Sequence, residues 1–198
     1  ISYANCGLPY YIGGTIQKQA ELTLQTPASF KKRFNIEVKV GHEVQAIDRA
    51  KKQVTVCDLA SGQVFQAGYD KLILAPGAQP VRPPLPGVDS SRLYTLRTVE
   101  DTLRIREIAA SGQVKSAVVI GGGFIGVEMA ENLRELGLAV SLIQRENHLL
   151  APLDQDLASF LHAHMREKGV KLLLEQSVTG FAKTETGLSV QLAGSEPV

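Results

Sequence analysis

A glycine-rich turn between an apolar strand and a helix, within residues 115–147, constrains the fold of this chain more than any other segment. Residues 117–120 are apolar and rich in β-branched side chains, which predicts a strand, and residues 139–144 predict a second one. Between them the glycines follow the spacing G-x-G-x-x-G, and a helical pattern with one apolar face comes next. That face, with the glycine expected to end the helix, comprises Val127, Ala130, Leu133, Leu136 and Gly137. A strand–turn–helix–strand unit of about 30 residues is the context in which such glycines bind a dinucleotide.

Each of the three spaced glycines has a chemical reason to be glycine. Gly121 permits the tight turn, Gly123 lets the backbone approach a pyrophosphate, and Gly126 lets the helix pack close to the strand. The helix N-terminus then offers free N–H groups and the positive end of its dipole to the phosphates. A glycine-rich turn in some other α/β domain is the alternative, and we favour the dinucleotide. The predicted nucleotide-binding loop is Gly121, Gly122, Gly123, Phe124, Ile125 and Gly126.

The composition is that of an ordinary globular protein and argues against several classes of partner. The 198 residues allow one or two domains with apolar cores, and a net charge of +1 argues against a nucleic-acid surface or an acidic partner. No apolar run reaches the length that spans a membrane, and no signal peptide is visible. Two cysteines are too few for a disulfide framework, which favours the cytoplasm. Because the chain starts abruptly at Ile1 in motif-like sequence, we expect it to be a fragment of a longer protein.

Cys6 opens a second segment with chemical content. The Gly-Leu-Pro sequence after Cys6 suits a tight turn into a helix, and a helix start favours the nucleophilic thiolate. A buried structural cysteine is the alternative. Residues 1–14 closely resemble the active-site segment of coenzyme A disulfide reductases, a branch of the FAD-dependent pyridine nucleotide–disulfide oxidoreductases. The resemblance covers essentially the whole chain, but only the middle of a full family member.

The resemblance implies chemistry at a single cysteine, with FAD and either NADPH or NADH as cofactors. In this branch the cysteine, here Cys6, cycles through a mixed disulfide with coenzyme A. The dithiol branch has a second cysteine five positions on, where this chain has Tyr11, so an intramolecular dithiol is excluded. Ser2 and Asn5 fall where the family contacts its thiol substrate. Glu128 matches a family position near the nicotinamide.

The resemblance also implies where the flavin would lie. Residues 71–75 predict a buried strand that runs into Pro76 and Gly77. In the resembled family this strand and turn pass the flavin, with a threonine usual where Pro76 stands. A contact made mainly by the backbone tolerates that difference. The implied flavin contacts in this chain are Val44, Ala75, Pro76 and Gly77.

Gln144 and Arg145 bear on the choice between NADH and NADPH. Folds selective for NAD place Asp or Glu about 20 residues past the first glycine, where it binds the ribose 2′-hydroxyl. Gln144 stands at that position and removes the charge that repels a 2′-phosphate, and Arg145 could pair with such a phosphate. The alternative is that Arg145 points to solvent. We therefore expect NADPH to be accepted at least as well as NADH.

The remaining patterns predict an α/β fold with two Rossmann-like nucleotide-binding domains, each with a β-meander insertion, the first of them incomplete. The further predicted strands are residues 36–40, 44–48, 54–59, 63–67, 71–75, 170–174, 178–183 and 188–192. A shift of 134 residues overlays the two halves without a gap, from Ile36 on Val170 to Val56 on Val190. Asp154 is predicted to cap a helix whose apolar side carries Leu157, Phe160, Leu161, His164 and Met165.

The domain boundaries follow from these patterns and from a proline-rich connector. Residues 1–79 are expected to form part of an FAD-binding domain with the redox cysteine segment, and residues 80–97 a linker. Residues 98–198 are expected to form an NAD(P)-binding domain that is incomplete at its C-terminal end. The phosphate loop of the first domain would lie upstream of Ile1, so we expect this fragment alone not to hold FAD.

Three functions remain open at this stage. The favoured one is a flavoenzyme that passes electrons from NAD(P)H through Cys6 to a coenzyme A disulfide or persulfide. An NAD(P)H oxidase or peroxidase that uses a Cys6 sulfenic acid is the second, and a nucleotide-binding module without catalysis is the third. The basic run at residues 31–33 is either a solvated helix face or an anchor for coenzyme A phosphates. We expect Cys57 to be structural, no metal site at His162 or His164, and a homodimer for the full-length protein.

Overall fold

The computed structural model describes residues 2–198. Short 3-10 turns occupy Asn5–Gly7 and Gln19–Leu22. The strands are β1 (Ser2–Tyr3), β2 (Thr23–Gln25), β3 (His42–Asp48), β4 (Gln53–Asp58), β5 (Val64–Gly68), β6 (Ser116–Ile120), β7 (Ala139–Ile143), β8 (Lys171–Leu173), β9 (Val178–Lys183) and β10 (Leu188–Leu192). The helices are α1 (Leu8–Gly13), α2 (Pro27–Phe34), α3 (Val99–Ala110), α4 (Phe124–Glu135) and α5 (Gln155–Glu167).

The chain divides into two compact units. One contains Thr23–Gln79 with the described start of the chain up to Tyr3, and the other contains Ala4–Leu22 with Pro80–Val198. The break after Gln79 coincides with the start of the expected linker. The segment that carries Cys6 packs in the second unit, whereas the sequence pattern predicts it as part of the first.

The first unit is built on an antiparallel meander with strand order β3-β4-β5, as predicted. Helix α2 begins where Thr26 and Ser29 form a capping box, with Pro27 at the first helical position. Asn35 ends the helix in the left-handed conformation. The local rules of capping and alternation therefore account for most of this unit.

Two predicted strands of the first unit are absent, and these predictions were wrong. Residues 36–40 and 71–75 form no strand, and Ile36 and Ile73 expose 50% and 89% of their surface. A strand forms only where a neighbouring strand accepts its backbone hydrogen bonds. Within residues 2–198 no strand pairs with either segment. An apolar sequence alone is therefore not enough to form a strand.

The second unit contains a parallel sheet with strand order β6-β7-β8. Helix α4 connects β6 to β7 and α5 connects β7 to β8, so the predicted strand–turn–helix–strand unit is confirmed. Gly137 follows α4 with a φ of +84°, a left-handed conformation that suits glycine. One buried apolar cluster of this unit comprises Ile12, Met129, Ala130, Leu133, Leu138, Val140, Leu142, Leu149, Met165 and Val170, and a second comprises Ile143, Val190 and Leu192.

The hairpin of β9 and β10 has the predicted bounds, but it interrupts the internal repeat. Val44 pairs with Val56, twelve residues on, whereas Val178 pairs with Leu192, fourteen residues on. The gapless register therefore does not persist through the two hairpins. What the halves share is one antiparallel strand pair each, β3 with β4 and β9 with β10, and the two hairpins differ in length.

The apolar side of α5 lies one residue away from the predicted one. Ala158, His162 and Met165 are buried, whereas Leu157 and Phe160 expose 54% and 76% of their surface. A histidine takes a core position on this helix, which the hydrophobic pattern could not indicate. Among residues 2–198, no helix combines the length and apolarity needed to cross a membrane, and no group of acidic, histidine or cysteine side chains could hold a metal ion.

Candidate functional site

The glycine-rich loop has the geometry that its spacing predicts. Gly121 has a φ of +102°, and its N–H donates to the Ile143 carbonyl oxygen at 2.9 Å. A Cβ at Gly126 would collide with the Gly121 carbonyl oxygen, so α4 could not start here with a larger residue. A Cβ at Gly123 would meet no atom within 4 Å, which leaves this backbone open to a ligand. The residues therefore fit a pyrophosphate at the start of α4.

Gly122 has a separate requirement that the sequence analysis missed. Its N–H donates to Oε1 of Gln144 at 2.9 Å, and its carbonyl oxygen accepts from the Leu150 N–H at 2.7 Å. The Leu149 side chain lies where a Cβ at Gly122 would be. The middle glycine is therefore fixed by the segment after β7, and the G-x-G-x-x-G spacing contains no signal of this.

Gln144 and Arg145 differ in how they are engaged. Because the Gln144 side-chain oxygen accepts the Gly122 N–H, the amide NH₂ is the end of this side chain left to meet a ligand. Arg145 donates to Oε1 of Glu146 at 3.0 Å, and 79% of its side chain is exposed. A 2′-phosphate would have to compete with Glu146 for Arg145. The predicted roles of both residues remain predictions.

Cys6 lies in the 3-10 turn that leads directly into α1, and it is exposed. The turn is held by hydrogen bonds from the Ala4 N–H to the Leu22 carbonyl oxygen and from the Gly7 N–H to that of Ala4, both at 2.8 Å. Asn5 accepts a hydrogen bond at Oδ1 from Nη1 of Arg97, also at 2.8 Å. The Cys6 thiol therefore lies on a turn that is fixed by hydrogen bonds, and it is open to solvent.

Helix α1 is anchored between α3 and α4, which explains why the Cys6 segment belongs to the second unit. Ile12 is fully buried, and a Cβ at Gly13 would collide with the Asn132 side chain of α4. The Arg106 guanidinium of α3 stacks over the Tyr11 ring, 4.0 Å from its centroid. Tyr11, at the position where the dithiol branch has its second cysteine, is thus a buried packing residue.

This anchoring brings Cys6 and Glu128 into one neighbourhood, together with Tyr10, which the sequence analysis missed. Burial raises the pKa of Tyr10, and the charges of Glu128, Glu131 and Cys6 raise it further. Burial also raises the pKa of the Glu128 carboxyl, and Glu131 adds to the effect. The signal that could have found Tyr10 is its position four residues after Cys6, one helical turn away.

The remaining predicted residues lie in the first unit. Ser2 pairs with Gln25 between β1 and β2. The predicted flavin contacts are exposed: Val44 in β3 and, outside any strand, Ala75, Pro76 and Gly77. Cys57 is half-buried in β4, with Sγ 3.7 Å from the Asp58 carbonyl oxygen. The basic run of α2 is exposed, and its arginine stacks on the neighbouring Phe34 ring. The roles proposed for these residues remain predictions.

Residues 1–197 match the sequence profile of the pyridine nucleotide-disulphide oxidoreductases. The chain belongs to this family. Family membership confirms the resemblance drawn from the sequence, and the predicted fold class is confirmed as well.

Individual proteins similar to this chain include two reductases and an oxidase. The chain is 38% identical over 178 residues to the coenzyme A disulfide reductase of Staphylococcus haemolyticus, covering 90% of this chain and 40% of the relative. The reduced CoADR-RHD of Bacillus anthracis superposes with a TM-score of 0.92 at 42% identity, covering all of this chain and 35% of that one. The water-forming NADH oxidase of Lactobacillus brevis, bound to NADH, superposes with a TM-score of 0.90 at 32% identity, covering all of this chain and 43% of that one. The chain thus spans less than half the length of these proteins.

Proposed function

We propose that a full-length protein containing this chain is an NAD(P)H-dependent flavoprotein that reduces coenzyme A disulfide or persulfide through Cys6. The observation that carries the proposal is that an exposed Cys6 lies in the same compact unit as the glycine-rich loop, on a turn fixed by hydrogen bonds. The similarity to a coenzyme A disulfide reductase over 90% of the chain supports this acceptor class.

Cys6 would act by thiol–disulfide exchange. Its thiolate attacks one sulfur of the substrate disulfide, the substrate S–S bond breaks, and one coenzyme A leaves as a thiolate that takes up a proton. The product is a mixed disulfide between Cys6 and the second coenzyme A. Two electrons and a proton then cleave this bond, releasing the second thiol and restoring the Cys6 thiolate. Bound FAD would supply the two-electron carrier between the nicotinamide and sulfur.

The residues around Cys6 suit this chemistry. Tyr11 is buried under Arg106 and offers no second thiol, so the mixed disulfide cannot be resolved by a cysteine one turn away. The Tyr10 hydroxyl, whose pKa burial raises above the ordinary 10, is neutral at physiological pH. A neutral Tyr10 adds no negative charge beside the Cys6 thiolate. Asn5, the residue before Cys6, is fixed by its hydrogen bond from Arg97.

The test compares Cys6→Ser with Cys57→Ser in a full-length protein containing this chain. We expect Cys6→Ser to abolish reduction of coenzyme A disulfide while NAD(P)H still bleaches the flavin, because hydride transfer does not pass through sulfur. Cys57→Ser should leave turnover nearly intact, since its thiol lies in strand β4 beside its own backbone. Near-normal disulfide reduction by Cys6→Ser would overturn the proposal.

An oxidase is the second candidate, favoured by the superposition on the Lactobacillus brevis NADH oxidase. Cys6 would then cycle through a sulfenic acid, with oxygen or peroxide as the acceptor. Steady-state assays with coenzyme A disulfide, coenzyme A persulfide, peroxide and oxygen separate the two functions. A kcat/KM for oxygen that exceeds the value for every coenzyme A substrate would favour the oxidase, and absence of turnover with all four would favour a nucleotide-binding module.

A further inference from the structure

His162 occupies a core position on α5 and hydrogen bonds to the segment after β7. It is 7% exposed, and its Nε2 accepts the Leu149 N–H at 3.0 Å. Leu149 is fully buried. Because an N–H can donate only to a nitrogen that carries no proton, the imidazole must be neutral, with its proton on Nδ1.

The segment that His162 contacts is joined to the glycine-rich loop. We call residues 144–150 the β7 loop. The Leu150 N–H donates to the Gly122 carbonyl oxygen at 2.7 Å, and the Leu149 side chain packs against the Gly122 Cα. Leu150 has a φ of +53°, a conformation that a leucine adopts only where its surroundings impose it. The hydrogen bonds of Leu149 and Leu150 supply that restraint.

We propose that His162 is a positioning residue for nucleotide binding: its neutral imidazole fixes Leu149 and thereby holds the β7 loop against Gly122. The proposal rests on the proposed function only in assigning the nucleotide to this loop, and it is independent of the electron acceptor. His162 is not itself one of the predicted nucleotide contacts. It acts through Leu149 and Leu150 on Gly122 and Gln144, which are the residues expected to meet the cofactor.

Protonation of His162 would break this connection. Nε2 would then carry a proton and face the Leu149 N–H, so two donors would oppose each other. Burial lowers the pKa of His162, and the charges of Arg166 on the same helix and His148 on the β7 loop lower it further. Because the folded-state pKa lies below the ordinary 6.5, the contact is complete above that value and is lost as the pH falls through the folded-state pKa. Nucleotide affinity should therefore hold at neutral pH and fall only once the pH drops below 6.5 to the folded-state pKa.

The experiment measures NAD⁺ binding by calorimetry in a full-length protein containing this chain, at about pH 8 and at a lower pH, the lowest at which the protein stays folded. NAD⁺ is chosen because its pyrophosphate does not titrate in this range. His162→Leu should raise the Kd for NAD⁺ about fivefold at the higher pH, which is the effect of one lost hydrogen bond, with an unchanged KM for coenzyme A disulfide. His162→Gln places a non-titrating acceptor near the same position. It should bind like the wild type at the higher pH and lose the wild-type weakening at the lower pH.

The control is His164→Gln, which replaces an exposed histidine on the same helix and should keep the wild-type pH dependence. Hydrogen exchange of the Leu149 amide gives a readout without ligand, and it should quicken in His162→Leu and not in His164→Gln. Wild-type affinity in His162→Leu would overturn the proposal. If His162→Leu does not fold, an unchanged acid weakening in His162→Gln would overturn it alone. Absence of NAD⁺ binding by the wild type would instead contradict the nucleotide site.

Discussion

Replacing Gln144 by glutamate should shift cofactor preference from NADPH towards NADH. In the structure Oε1 of Gln144 accepts the Gly122 N–H at 2.9 Å, so the amide NH₂ is the end of this side chain left for a ligand. That NH₂ can donate to a ribose hydroxyl or to a 2′-phosphate. A glutamate would keep the bond from Gly122 with one oxygen and present the second, negatively charged, oxygen to the ribose. It would then accept a hydrogen bond from the 2′-hydroxyl and repel a 2′-phosphate.

The expected size follows from the charges involved. Two unit charges about 4 Å apart repel by about 4 kcal/mol at the effective dielectric constant of a protein surface. Gln144 is only partly buried at the end of β7, so solvent and salt reduce this to about 2 kcal/mol. Arg145 offsets little of it because Glu146 already engages its guanidinium at 3.0 Å. The ratio of kcat/KM for NADPH to that for NADH should therefore fall by about 30-fold.

The assay is the steady-state rate with each cofactor at a saturating concentration of the disulfide. Gln144→Met is the matched control, because it removes the bond to Gly122 without adding a charge. It should weaken both cofactors to a similar degree and leave their ratio unchanged. A ratio that stays constant in Gln144→Glu, or that moves as far in Gln144→Met, would refute the assignment of this side chain to the 2′ position.

Three packing substitutions have equally specific expectations. Gly126→Ala should weaken both nicotinamide nucleotides at least about tenfold, since the methyl group would collide with the first glycine of the loop, and unchanged binding by calorimetry would contradict this. Thr98→Ala removes the capping box with Asp101 and should lower the free energy of unfolding by about 1 kcal/mol in urea titrations, with Thr98→Ser restoring it. Gly13→Ala should displace α1 from Asn132 and slow alkylation or exchange at the exposed Cys6 thiol. An unaltered rate of Cys6 labelling would argue against a role of Gly13 in placing this segment.

The parts of the fold that follow local rules could be predicted from the sequence. The glycine spacing, the helix that follows it, the meander and the final hairpin all depend on residues close together in the chain. Their bounds agree with the structure within about two residues, which is the normal uncertainty of element ends. The two isolated strands failed because pairing is a property of two segments, and residues 36–40 and 71–75 have no described partner.

The candidate site was harder because it depends on contacts between distant residues. No pattern near Cys6 indicates that α1 packs on α3 and α4, since the contacts come from Gly13 and Tyr11 meeting Asn132 and Arg106. The hydrophobic pattern also misplaced the buried side of α5, because the core position is filled by His162, whose polar atom meets a backbone N–H. Hydrogen-bonded polar residues in a core are invisible to a count of apolar positions.

Glu128 is a residue at which stability and function should oppose each other. Burial and the charge of Glu131 raise its pKa, so the folded state binds the proton more tightly than the unfolded state. The stabilisation by the protonated form is complete below the ordinary pKa of 4.5 and is lost as the pH rises through the folded-state pKa.

At neutral pH, Glu128→Gln should therefore raise the Tm by about 2 °C, and well below the ordinary pKa of 4.5 the gain should largely vanish, because the carboxyl is then protonated in both states and resembles the amide. Glu131→Gln should give a smaller rise, and the two effects should not add, since the residues interact. A gain in Tm together with slower reduction of the flavin by NAD(P)H is the expected signature of a carboxylate retained for the nicotinamide. A lower Tm at neutral pH, or an equal gain at both pH values, would show that the charge of Glu128 is not a burden to the fold.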